Sequence, residues 1–239
     1  MHPSSFSRAV SWFLAVSLAS LLWRTTSAQI GYISQYAGSS SGACGFSGDG
    51  GPAVISGGVF NSLTGIAFDS SDNLLVSDYQ NNRLRRVDRV TGFISTVAGG
   101  GSNSADGIQA TIASIGQPLG VATDPSGNIY YTEIYAGKVR MVSSSGIIST
   151  LVTGLLTPAP IVFHSGLVYF GETQTNQVKT VDPFSLSVTV VANTGWPNGI
   201  AFDNAGNMYV TNDAGTLSTF FTNGTVSSLT IGSSIGRGR

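Results

Sequence analysis

Charge and cysteine are both scarce in this chain. Only 10% of its 239 residues are charged, with 11 basic against 12 acidic side chains, so it has neither the basic excess of a polyanion binder nor an acidic tract. A nucleic-acid partner is therefore not expected. There are two histidines, His2 and His164, too few for a zinc site built mainly of His. The one cysteine, Cys44, lies in the loop ACGFSGDGG, and an odd cysteine in a secreted chain implies a free thiol or a partner elsewhere, the latter being preferred. Cys44 has no His or Asn near it in sequence, which speaks against nucleophilic catalysis. Helix signals are nearly absent.

One apolar run stands out, from Val10 to Trp23, preceded by Arg8 and followed by the small residues Thr26-Ser27-Ala28. Interrupted by Ser11, Ser17 and Ser20, it is too short for a membrane span and has the form of a secretory signal peptide over residues 1–28. Cleavage before Gln29 would leave 239 − 28 = 211 residues with 9 basic and 12 acidic groups, a net charge of −3. The expectation is a secreted or extracellular protein with no membrane insertion once the signal is removed.

What the chain has is glycine, 31 residues of it, and a repeat. The segments GIAFDSSDNLLVSD from Gly65, GVATDPSGNIYYTE from Gly120, PIVFHSGLVYFGE from Pro160 and GIAFDNAGNMYVTN from Gly199 follow one another at 55, 40 and 39 residues. Each is an apolar run, a turn rich in Asp or Asn, and a second apolar run. Periods near 40 to 50 with several short strands apiece indicate β-propeller blades. In the first unit the alternation places strands at 65–68, 74–77, 83–88 and 93–98, separated by Asx turns. The fourth strands share a signature: ISTVAG at Ile94, ISTLVTG at Ile148, VTVVANTG at Val188 and VSSLTIG at Val226. A further copy, ISQYAG at Ile33, precedes the first blade and reads as a lone outer strand. The expected organisation is an all-β propeller domain over residues 29–232, with about four four-stranded antiparallel blades, and a polar tail at 233–239 that is a possible truncation point.

Together, FSGDGGPA from Phe46, GIAFD, LLVSD, NNRLRRVD and ISTVAGGG resemble NHL repeats over about residues 33 to 231. The likeness is to the extracellular type with a GDGGPA loop joining blades. It implies a ring of about six blades, of which four would be present here. The third repeat departs from the pattern, with His164 where the others have Asp69, Asp124 and Asp203. That residue reads as a solvated turn histidine without a catalytic role.

Several residues are site candidates. Asp78, Glu133, Glu172 and Asn212 end the second strands and would lie on one rim. They read as exposed cross-strand pairs, Asp78 with Arg83 and Glu133 with Lys138, the sharper alternative being a ligand-binding rim. Arg85, Arg140 and Lys179 share a position on the third strands and read as solvated edge charges. Asp49 in the GDGG loop reads as part of a blade connection needing positive φ, because one carboxylate does not make a calcium site. The inner-strand entrances hold Thr64, Leu119, Ala159 and Asn198, and only Asn198 is a candidate metal ligand. WPNGIAFD, from Trp196, resembles part of a gluconolactonase-type motif in which that Asn is a ligand. Asn223-Gly224-Thr225 is a glycosylation sequon.

These features favour a non-enzymatic module that binds protein or carbohydrate and needs no cofactor. The alternative is a metal-dependent hydrolase or lyase of gluconolactonase-like or amidating-lyase-like type with part of its site missing, which would use a divalent metal. An incomplete ring would expose apolar blade faces and invite self-association.

Overall fold

The computed structural model describes residues 35–38, 44–54 and 59–230. The signal segment 1–28, the first residues of ISQYAG and the tail 233–239 lie outside the described residues. Of that outer copy, Gln35–Gly38 forms no strand; Gly38 N–H donates to Ala53 O (2.7 Å).

Sixteen strands among the described residues form four antiparallel sheets of four. Blade 1 holds β1 (Leu63–Phe68), β2 (Leu74–Asp78), β3 (Arg83–Val87) and β4 (Ile94–Gly99). Blade 2 holds β5 (Pro118–Thr123), β6 (Ile129–Glu133), β7 (Lys138–Val142) and β8 (Ile148–Val152). In blade 3 are β9 (Pro158–His164), β10 (Leu167–Glu172), β11 (Gln177–Val181) and β12 (Val188–Asn193), and in blade 4 β13 (Pro197–Phe202), β14 (Met208–Asn212), β15 (Thr216–Phe220) and β16 (Val226–Thr230). Every blade is a meander in chain order, and neighbouring blades pack face to face through their inner strands. This is a β-propeller.

Local chemistry sets each hairpin. Asp69 Oδ1 accepts from the N–H groups of Ser71 and Asn73, Asp124 from Ser126 and Asn128, and Asp203 from Ala205 and Asn207, all at 2.9 to 3.0 Å. Blade 3 lacks that Asp and is one residue shorter, so Ser165 and Gly166 turn the chain with φ of 49° and 84°. That is the two-residue hairpin geometry that requires positive φ at both positions. His164 is therefore no solvated turn residue. It ends β9 half-buried, its ring stacked on Phe202 at 4.0 Å and meeting the edge of Tyr169.

Because blades pack on both faces, strand alternation does not separate core from solvent. Leu75, Leu84 and Ala98 of blade 1 pack with Val121 and Tyr131 of blade 2; Tyr130 and Val139 of blade 2 pack with Val168 and Phe170 of blade 3; Val178 meets Met208 and Val210 of blade 4. Aromatic pairs repeat the scheme: Tyr130 stacks on Phe163 at 5.6 Å, and Tyr169 meets Phe202 edge-on at 4.7 Å. Blade 1 is different on its other side. Ile66 and Phe68, apolar and on one face of β1, are 68% and 58% exposed, since no blade among the described residues covers that face.

The inner strands approach very closely. A Cβ built on Gly65 would lie 2.4 Å from Leu119 O, and one on Gly120 2.4 Å from Ala159 O. Thr64 Oγ1 donates to Leu119 O (3.0 Å) and Thr132 Oγ1 to Ala159 O (2.9 Å), stitching blade to blade. In the first two repeats the opening glycine is the steric requirement for that contact.

Candidate functional site

Two places gather the residues that the sequence singles out: the mouth formed by the inner strands, and the outer halves of the blades where the charged stripes run.

At the mouth, Thr64-Gly65-Ile66, Leu119-Gly120-Val121, Ala159-Pro160-Ile161 and Asn198-Gly199-Ile200 surround a cavity of about 390 Å³. The four strand entrances thus converge, as the repeat predicts. Its walls are mostly backbone and aliphatic side chains. Thr64 spends its hydroxyl on the neighbouring strand, and the Asn198 amide donates to the Asp213 carboxylate. Asn198 therefore caps its own blade through a residue in the β14–β15 turn. For a divalent cation the donors do not fit: the mouth brings one carboxylate and no histidine, and no cluster of three His, Cys, Asp or Glu occurs among the described residues.

The charged stripes form a second system, whose pairing differs from the sequence expectation. Asp78 and Arg83 are Cα partners, yet Asp78 pairs with Arg85 (3.3 Å), two residues along β3. Likewise Glu133 pairs with Arg140 (3.4 Å) and Glu172 with Lys179, not Glu133 with Lys138. The reason is local: the Arg83 guanidinium lies 3.7 Å over the Phe46 ring and donates to Asn81 O (2.7 Å), leaving the diagonal partner to meet the carboxylate. These pairs are not exposed. Asp78, Glu133 and Glu172 are all buried, and so are two of the three stripe residues expected to be solvated, Arg85 fully and Arg140 to within 2%, while Lys179 is half-buried.

Each arginine has a second acid that reaches it from the loop preceding its own blade. Arg85 Nη2 meets Asp49 Oδ1 (2.6 Å), and Arg140 Nη2 meets Asp106 Oδ1 (2.7 Å). The same aspartates accept from Thr96 Oγ1 (2.7 Å) and Thr150 Oγ1 (3.1 Å) of the outermost strands. The connection expected at GDGG is thus a clasp, with Gly48 and Gly50 at φ of 91° and 81°. Asp106 went unnoticed in sequence, although DGGPA from Asp49 and DGIQA from Asp106 are one motif at a spacing close to the first repeat period.

The ladder of acid, base, loop acid and hydroxyl fades along the chain. Blade 3 keeps Glu172 and Lys179 but has Val190 at the Thr position and no loop acid; in blade 4 Asn212, Ser218 and Ser228 stand at the corresponding places. Asn212 Nδ2 donates to Thr194 O (2.6 Å), and its Oδ1 accepts from the N–H groups of Ala214 and Thr216. All four rim candidates are accordingly engaged within the fold. Burial works upward on the Glu133 carboxyl and, despite Arg140, leaves it raised. At Glu172 burial is outweighed by Lys179 and by the Leu156 N–H, and the carboxyl is lowered. Asn223 is exposed in the β15–β16 turn, its Oδ1 accepting from Thr225 Oγ1 (2.7 Å).

The sequence matches no family model and no curated protein. Solved structures do match. The fold is similar to virginiamycin B lyase from Staphylococcus aureus (14% identity, TM-score 0.54, covering 71% of this chain and 55% of that one). It is also similar to a chain of a nidogen/laminin complex (20%, TM-score 0.58, 70% and 64%) and to a putative gluconolactonase (15%, TM-score 0.55, 70% and 63%). At such identities the likeness is one of fold. The chain spans a little over half to under two thirds of the length of these propellers.

Proposed function

We propose that this chain is a secreted or ectodomain propeller of the NHL-repeat type that binds protein or carbohydrate and performs no chemistry. The observation carrying this reading is that the charged groups of the rim and stripe are held in internal pairs and, Lys179 apart, are buried, while the mouth presents aliphatic and backbone surface. Catalytic propellers need unspent donors at the inner-strand entrances. Here the one amide at that position is bonded to Asp213. The signal-like segment before Gln29 supports export, and the exposed sequon at Asn223 would then carry an N-glycan. A propeller in a nidogen/laminin complex supports protein binding as a use of this architecture.

The competing reading is a metal-dependent hydrolase or lyase, favoured by the Asn198–Asp213 pair at the mouth and by neighbours named as a lyase and a gluconolactonase. Calorimetric titration with calcium, zinc and manganese, together with lactone hydrolysis measured with and without chelator, separates the two. The binding-module reading expects no saturable metal uptake and no turnover. Metal-dependent turnover abolished in Asn198→Ala would overturn it.

A further inference from the structure

Blades 1 and 2 do not leave their outermost strands bare. The clasp after Asp49 pairs along β4: Gly50 N–H donates to Ile94 O, Ile94 N–H to Gly51 O (both 2.9 Å), and Ala53 N–H to Gly92 O (2.8 Å). After Asp106 the pattern recurs on β8, with Gly107 N–H to Ile148 O (2.8 Å), Ile148 N–H to Ile108 O (2.9 Å) and Ala110 N–H to Gly146 O (2.8 Å). A short Asp-Gly-x-x-Ala segment thus lies twice along the edge strand, joined to it by these main-chain bonds and one isolated antiparallel bridge, its Asp reaching the arginine and threonine behind the edge.

Blade 3 has the receptor and lacks the clasp. The connection from β8 to β9 is too short to return over the sheet, and the sheet ends at β12 with no further segment paired to it among the described residues. Val181 and Val188 pair as Val87 and Ile94 do in blade 1, and Asp182 N–H donates to Ser187 O as Asp88 N–H does to Phe93 O. By that register Val188 turns its N–H and C=O outward. Val188, Val190 and Val191 are exposed, uncharged and β-branched, and Phe184 beside them is 93% exposed. Nothing here blunts the edge as charges or proline commonly do. Lys179 completes the site: with Glu172 as its one acid it stays 18% exposed, whereas Arg85 and Arg140, each with two, are closed off.

We propose that the β12 edge of blade 3 is a docking site for an extended acidic segment of a protein partner. The segment adds as a fifth strand and sets a carboxylate against Lys179, as Asp49 and Asp106 are set in cis. Main-chain pairing gives the affinity and the acid gives the register. This deepens the binding-module reading by naming the partner's chemistry, and rests on it.

The probe is a fluorescent peptide of residues 103–112, Asn-Ser-Ala-Asp-Gly-Ile-Gln-Ala-Thr-Ile, titrated against the full chain by anisotropy. Saturable binding is expected, weakened about tenfold when the peptide Asp is replaced by Asn, the effect of losing one hydrogen bond to a charged group. In the protein, Val190→Glu should abolish binding by placing like charge at the edge. Val190→Thr, which restores the hydroxyl of Thr96 and Thr150, should tighten it about threefold to tenfold. Val190 is solvent-facing, so thermal unfolding should be unchanged in both variants. Absence of saturable binding, or binding indifferent to both Val190 variants, overturns the proposal. So does concentration-dependent self-association that Val190→Glu removes while the peptide fails, which would assign the edge to a second copy. If the peptide fails while a protein or glycan ligand still binds elsewhere on the chain, the edge assignment falls and the binding-module reading stands.

Discussion

Buried charge dominates at the scale of the residue. Arg140 lies between a buried acid, Glu133, and a half-exposed one, Asp106. Replacing it by Met would strand Glu133, and removal of one partner from a buried pair costs about 3 to 5 kcal/mol. Thermal unfolding of Arg140→Met at pH 7 should show that loss, with part recovered at pH 5 because Glu133, already raised by burial, would protonate. The wild-type pH dependence has a definite sign. At Asp106 burial pushes upward, but Thr150 and Arg140 outweigh it and the carboxyl is lowered; Glu172, Asp88, Asp182 and Asp203 are lowered too. A lowered carboxylate contributes stability present above its unfolded value and lost as pH falls through its folded one. Glu133, being raised, acts in the opposite direction. The lowered groups are more numerous, so the unfolding midpoint should stay level from neutrality to about pH 5 and fall below about pH 4. A midpoint that rises through pH 4 would show Glu133 in control.

At the scale of the element, blades were legible and their fastenings were not. Asx turns between apolar runs located the β1–β2, β5–β6 and β13–β14 hairpins to within two residues, because Asp69, Asp124 and Asp203 bond their own turns and need no tertiary context. The second acid of Arg85 is Asp49, 36 residues upstream, and no local rule connects them. Burial of the stripe was equally hidden, since a position that alternates outward on an isolated sheet is covered once a loop folds over it. Only the repetition of the Asp-Gly motif at Asp49 and Asp106 could have revealed the clasp. The steric demand at the repeat's leading glycine is testable on its own. Gly120→Ala would drive a methyl against Ala159 O and should cost about 1 to 3 kcal/mol in chemical denaturation, while Gly127→Ala, in an open turn at φ of 83°, should cost only its backbone strain.

For the whole molecule, the interfaces between blades are one design repeated: Tyr130 on Phe163, then Tyr169 on Phe202. Tyr209 and Phe68 occupy the corresponding positions on the outward faces of blades 4 and 1, and Phe68 is exposed. Two substitutions of one kind should then diverge. Phe202→Asp, placed between packed blades, should prevent folding, whereas Phe68→Asp should leave the far-ultraviolet spectrum intact and reduce self-association in sedimentation. A folded Phe202→Asp variant would contradict the packing scheme. A binding module that performs no chemistry requires the rim and stripe to belong to the fold and not to a ligand. The most direct measurement is a double-mutant cycle between Glu133 and Arg140, read from unfolding free energies of Glu133→Gln, Arg140→Met and the double variant. A coupling of about 2 kcal/mol or more, beyond what exposed pairs reach, is the predicted result. A coupling near zero would mean that these charges are not held by each other, and the rim would again be open to a ligand.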